Sequence, residues 1–204
     1  MRYLLFCLCC IPATMACAND TSYLKVHFLY GSRPAKDYKE TESKWFGGTL
    51  GGHVGIEIDS NRILNFLPSG DFHVFKRKMD FHSTYAVHDE TSFYALLGGD
   101  ADSMKRTVVY IPVETWQKQK FDSIATAYLA QTPYDYALVG MRCGSAAYEI
   151  LGQLDILKSY PRKKTALKIF YPKKLRKRLL KKAKDNEWLV VRQVGSDRRR
   201  WEQD

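Results

Sequence analysis

The stretch GGHVGIEIDSNRILNFLP, residues 51 to 68, constrains the fold of this chain more than any other. It holds two alternating runs around a polar Ser60-Asn61 pair. In HVGIEID, alternation sends His53, Gly55, Glu57 and Asp59 to one face and Val54, Ile56 and Ile58 to the other. In RILNFL, Leu64 and Phe66 point one way and Ile63, Asn65 and Leu67 the other. Matching the apolar faces of a hairpin fixes the register: Val54 opposite Phe66, Ile56 opposite Leu64, Ile58 opposite Arg62, with a turn from Asp59 to Asn61. Asn65 then lies across from Gly55 and diagonal to His53 on the same face, where the two side chains can meet. Gly55 leaves the space beside them open. A slip of one residue would turn Asn65 into the core.

Other runs extend the pattern. Leu24 to Tyr30, FHVFK, SFYALL and TVVYIPV read as strands, rich in Val, Tyr and Phe. Between Glu114 and Gln131, Trp116, Phe121, Ile124, Ala125 and Tyr128 keep helical spacing, as do Ala146, Ala147, Ile150, Leu151 and Leu154 after Cys143. Strands interspersed with a few helices predict an α+β domain, mostly antiparallel sheet with helices packed against it. A chain of 204 residues suits one such domain, expected to be a monomer.

Four of the five cysteines, Cys7, Cys9, Cys10 and Cys17, crowd into the first seventeen residues. That segment has one Arg, an apolar run from Tyr3 to Ile11 and small residues before Asn19, the make-up of an export signal over 1–18. Cleavage after Ala18 fits the small-x-small rule. Thr14-Met15-Ala16-Cys17 also resembles a lipoprotein box that would leave Cys17 acylated. Either outcome leaves Cys143 with no disulfide partner in an exported, periplasmic or envelope-associated protein.

Cys143 follows Gly140 and opens a helical pattern, so its thiol sits at a helix N-terminus, where unpaired N–H groups and aligned peptide dipoles favour a thiolate. A small buried hydrophobe is the alternative role for a lone cysteine. Of five histidines, pattern singles out His53 as the base, with Asn65 as the side chain that orients it. Three neighbours are candidates for substrate binding. Arg142 could hold a carboxylate or stand exposed. Glu57 shares the face of His53, and Tyr134, with Tyr136 alternating onto its side, lines a cleft or packs in the core.

His73, His82, His88 and Asp89 match no metal-ligand spacing, and no Lys-Ser/Thr follows the Gly47-Gly48/Gly51-Gly52 pairs, so neither a metal nor a nucleotide cofactor is expected. The net charge of +10 resides in the tail: from Arg162 onward there are 16 Lys and Arg against 5 Asp and Glu, leaving the first 161 residues at about −1. A helix over 173–184 with Leu175, Leu179 and Ala183 as a thin apolar stripe suits an anionic membrane surface, or docks by its leucines ahead of a strand at Trp188 to Arg192. Export argues against nucleic acid.

GGHVGIEIDSNRILNF, followed about ninety residues later by YDYALVGMRCGSAAYEIL, resembles the circularly permuted branch of the NlpC-type papain-like superfamily. That branch contains lecithin:retinol acyltransferase-like enzymes and bacterial envelope proteins that include lipoprotein transacylases. Its histidine strand, second polar residue and helix-opening cysteine correspond to His53, Asn65 and Cys143. Arg142 stands where that branch often has Asn, and the tail has no counterpart there. The resemblance implies a papain-like catalytic domain over 19–161; the basic extension over 162–204 is expected to pack on the same domain. It implies a cofactor-free thiol hydrolase or acyltransferase acting on peptidoglycan peptides or on acyl groups of lipids and lipoproteins. A non-catalytic envelope-binding protein that uses the basic tail is the rival.

Overall fold

In the computed structural model, which describes residues 22–42 and 51–204, the alternating runs pair into one antiparallel sheet. Its strands are β1 (Ser22–Leu29), β3 (His53–Asp59), β4 (Arg62–Pro68), β6 (Ser83–Asp89), β7 (Arg106–Val113) and β9 (Val190–Gln193), in the order β6-β4-β3-β1-β7-β9. Two small ribbons stand apart: β2 (Ser32–Pro34) with β10 (Arg199–Trp201), and β5 (His73–Phe75) parallel to β8 (Ala137–Val139). The helices are α1 (Glu90–Ala95), α2 (Thr115–Ala130), α3 (Cys143–Gln153), α4 (Arg162–Lys168) and α5 (Pro172–Asp185). The protein is thus α+β. The leader, Cys17 and the Gly47-Gly48 pair lie outside the described residues.

The hairpin register holds where it matters. Gly55 pairs with Asn65 and Ile56 with Leu64, but Arg62 pairs with Asp59 rather than Ile58, across a bulge between Glu57 and Asp59. The connection is a two-residue turn at Ser60-Asn61, with Asn61 left-handed at φ 70°. Nor is the space over Gly55 open. A Cβ there would lie 2.4 Å from Ile63 Cγ2 and 2.8 Å from the Phe93 ring, so glycine admits their close approach.

The sheet is covered on both faces. Val26, Phe28, Val54, Ile56, Leu64 and Phe66 join the main core with residues of α2, α3 and α5. Leu29 and Ile63 face the other way into a smaller core with Phe93, Tyr94, Leu97 and Met104. SFYALL is therefore helix, not strand: the Asp89 carboxylate accepts from the Ser92 amide and caps α1, and this local bond outweighs the β-propensity of Phe and Tyr.

The tail is part of the same fold. β9 pairs with β7, β10 with β2, and α5 packs on α3. Leu175, Leu179 and Ala183 are buried in the main core. The 173–184 helix therefore has no apolar face left for a membrane; only its Lys- and Arg-rich side is outward. Arg176 is fully buried, donating to Glu202 (3.0 Å) and Asp204 (2.7 Å), with its guanidinium 3.7 Å from the centroid of the Tyr30 ring. Removing one partner from such a pair strands the other charge in the core. Arg176→Met should cost about 3–5 kcal/mol in urea unfolding. Arg176→Met/Glu202→Leu should recover most of that loss, and a double variant no more stable than the single one would contradict the pairing.

Candidate active site

Cys143 is the first residue of α3 and His53 the first of β3, so both side chains stand at element ends. Arg142 caps the helix through its backbone: its N–H donates to Ser145 Oγ (2.7 Å), which donates back to the Arg142 carbonyl (3.0 Å). The packing that sets the thiol in place depends on Gly144, where a Cβ would lie 3.0 Å from the backbone of Pro172. A cleft of about 330 Å³ opens there, lined by His53, Cys143 and Arg142, by Leu96 and Leu97 beyond α1, and by Tyr171 and Pro172. Cys143 is buried, only 4% exposed, and forms part of the cleft wall.

The hydrogen-bond pattern assigns each proton. Asn65 Nδ2 donates to the carbonyls of Ile63 (3.3 Å) and Ala86 (3.2 Å), which fixes the amide so that Oδ1 faces His53. Oδ1 can only accept, so His53 Nε2, 3.0 Å away, carries a hydrogen. Nδ1 is left to receive the thiol proton. Behind Asn65, His88 Nδ1 lies 2.9 Å from Nδ2, whose two hydrogens are shared among it and the two carbonyls. The Phe93 ring, 5.6 Å from that of His53 between centroids, packs beside the imidazole.

Charge follows from this contact. Burial pushes the Cys143 thiol up, but the charge of His53, a hydrogen bond with its ring, the charge of Arg142 and a bond from Tyr136 outweigh it, so the thiol is held below its ordinary value. Burial pushes His53 down, yet Cys143 and the Asn65 bond hold the imidazole above its ordinary value. Opposite shifts on adjacent groups each favour the charged form, thiolate on Cys143 and imidazolium on His53.

Of the substrate-binding candidates, Arg142 lies in the cleft. Its guanidinium is over the rings of Phe170 and Tyr171, and its Nε and Nη1 are buried without a hydrogen-bond partner among the described residues. Glu57 does not line the cleft. It sits farther along β3, accepting from Lys25 (2.7 Å) and bonded to His27 (2.9 Å) under α1. Tyr134 is also elsewhere, bonded to Tyr85 and Glu149 in an aromatic cluster. Of Tyr134 and Tyr136, it is Tyr136 that lines the cleft, and its hydroxyl is hydrogen-bonded to Cys143 at both the side chain and the backbone. Burial keeps that phenol protonated, hence a donor. Alternation treats Tyr134 and Tyr136 alike; the bridge of Tyr136 to Met141, two residues before Cys143, separates them.

His73 and His82 stack together, 4.3 Å apart, over Asp135, away from His88. Among the described residues no three His, Cys, Asp or Glu side chains gather as a metal would need. Neither a protein-family model, nor a curated protein, nor a solved structure matches the chain.

Alkylation of Cys143 by iodoacetamide should reach its plateau at a lower pH than that of a simple thiol, whose rate still gains about tenfold per pH unit below its ordinary value of 9.0. Loss of the Tyr136 bond in Tyr136→Phe should raise the pH at which that plateau is reached by about one unit, the worth of a hydrogen bond to a charged group. A wild-type profile that climbs through pH 8 as for a free thiol would contradict the ion pair.

Proposed function

We propose that the protein is a cysteine-dependent hydrolase or acyltransferase, of the permuted NlpC-type papain-like kind, that acts on amide or ester carbonyls. The observation that carries this is the relay from Cys143 through His53 to the fixed Asn65 amide, in a cleft open to substrate. The order of the three along the chain, His53, Asn65, Cys143, is that of the permuted branch.

In this reading the Cys143 thiolate attacks the carbonyl carbon and the carbonyl electron pair moves onto oxygen. First-turn N–H groups of α3 and the Tyr136 hydroxyl are placed to stabilise that oxyanion. Collapse expels the amine or alkoxide, which takes its proton from His53, and leaves a thioester on Cys143. Neutral His53 then removes a proton from water, or from an amine or alcohol acceptor, whose attack frees the thiolate again. Arg142, which lines the cleft, keeps a positive charge beside a bound substrate oxygen. Export to the cell envelope makes peptidoglycan peptides, or acyl groups of lipids and lipoproteins, the natural substrates.

Intact-mass measurement after incubation with peptidoglycan peptides, and separately with diacyl phospholipid, should reveal a covalent acyl adduct on Cys143 with one of them. Cys143→Ala should show none, and His53→Ala should slow turnover by about 10²- to 10⁴-fold. No adduct and no turnover with either class, together with ordinary alkylation of Cys143, would leave the non-catalytic envelope binder as the better account.

A further inference from the structure

A second groove, of about 510 Å³, lies beside the catalytic cleft, between the loop after β5, the end of β8 and α4. Its apolar side chains project outward instead of closing over it. Phe75 is 70% exposed and Leu167 63%, with Val139 and Phe81 also open to solvent, and Met79 on the same loop is 81% exposed. Isolated exposed apolar residues need no explanation, but several around one groove mark an interaction surface.

Its charge is one-sided. Lys76, Arg77, Lys78 and Lys163 line the same groove, and no ion pair among the described residues engages them. The acid in the lining, Asp135, is buried and already committed, accepting from His73 (2.7 Å) and from the backbone N–H groups of Arg77 and His82. Protruding apolar side chains among uncompensated cations match an anionic bilayer, whose headgroups attract the cations while its acyl region takes up the apolar tips. The outward face of α5 supplies cations without apolar tips, since its leucines are in the core.

We propose that this groove docks the protein on an anionic membrane surface. It is next to the cleft at two points: Met141 lines the groove where Arg142 and Cys143 line the cleft, and Phe170 lines the groove where Tyr171 lines the cleft. Docking here would hold the nucleophile at the bilayer surface. The docking surface stands on the groove alone; that the cleft acts on a membrane-held carbonyl rests on the thiol reading above.

Co-sedimentation of the full chain with vesicles of mixed phosphatidylglycerol and phosphatidylcholine, compared with pure phosphatidylcholine, tests the proposal. Binding should favour the anionic vesicles and weaken with salt. Lys76→Gln/Lys163→Gln should weaken it by about 25-fold, about fivefold per cation, and Phe75→Ser/Leu167→Ser should weaken it comparably. Both pairs are on the surface, and an unchanged circular dichroism spectrum checks their folding. Lys174→Gln/Lys177→Gln on α5 removes the same charge and should cost a few-fold at most. Every variant carries the same first 21 residues, so differences report the groove. Equal losses from the groove and α5 lysine pairs would indicate diffuse attraction and overturn the proposal. So would indifference to the apolar pair, or heparin binding that persists without Phe75 and Leu167 while vesicle binding is absent. Cys143→Ala should bind vesicles as well as wild type, and the groove variants should keep wild-type alkylation of Cys143, so failure of the docking surface and failure of the thiol reading are separable.

Discussion

The pairing of Gly55 with Asn65 is the constraint on which the site depends. Side chains alternate with period two, so this register alone puts Asn65 on the face of His53 and within 3.0 Å of its ring. The bulge at the far end of β3 takes up its extra residue on the turn side of Glu57, leaving the Gly55–Asn65 pairing undisturbed. Apolar matching enforces the choice: a slipped hairpin would expose Val54, Ile56, Leu64 and Phe66, all buried here, at about 1.5–3 kcal/mol each.

From that register the electrostatics follow in order. Two backbone carbonyls and His88 hold the Asn65 amide, the amide assigns the proton on His53 Nε2, and Nδ1 is left as the ring nitrogen able to accept from the thiol. Low exposure strengthens every member of this chain, because charges interact more strongly away from water. The same burial opposes either charge by itself, so thiolate and imidazolium stand or fall together. The basic tail serves this arrangement structurally: Tyr171 and Pro172 form a cleft wall, and the Arg176 contacts with Glu202 and Asp204 anchor the helix that begins there.

How much of this was legible depends on the range of the signal. Strict alternation revealed β3 and β4, and helical period after Gly140 placed Cys143 at a helix start, because both are local patterns. The strand β6, STYAVHD, alternates too weakly to stand out, yet it supplies the Ala86 carbonyl and His88 that hold Asn65. α1 was misread since one capping carboxylate decided against the β-propensity of the residues after it. Glu57 shares the face of His53 as alternation requires, but the pattern is silent on Lys25 and His27, brought from β1 to claim its carboxylate. Tyr136 and the cationic groove are assembled from segments distant in sequence, and periodicity carries no information about such meetings.

The coupling of Cys143 to His53 is the claim that everything functional rests on, and it is reciprocal: each group shifts the other's titration. Nitrogen NMR of the His53 imidazole, titrated in the wild type and in Cys143→Ala, measures it directly. The account predicts an imidazolium that persists above the ordinary histidine value of 6.5 in the wild type and a ring that is neutral at that pH once the sulfur is gone, because burial then acts against the charge with only the Asn65 bond opposing it. An identical His53 titration in the two proteins would contradict it.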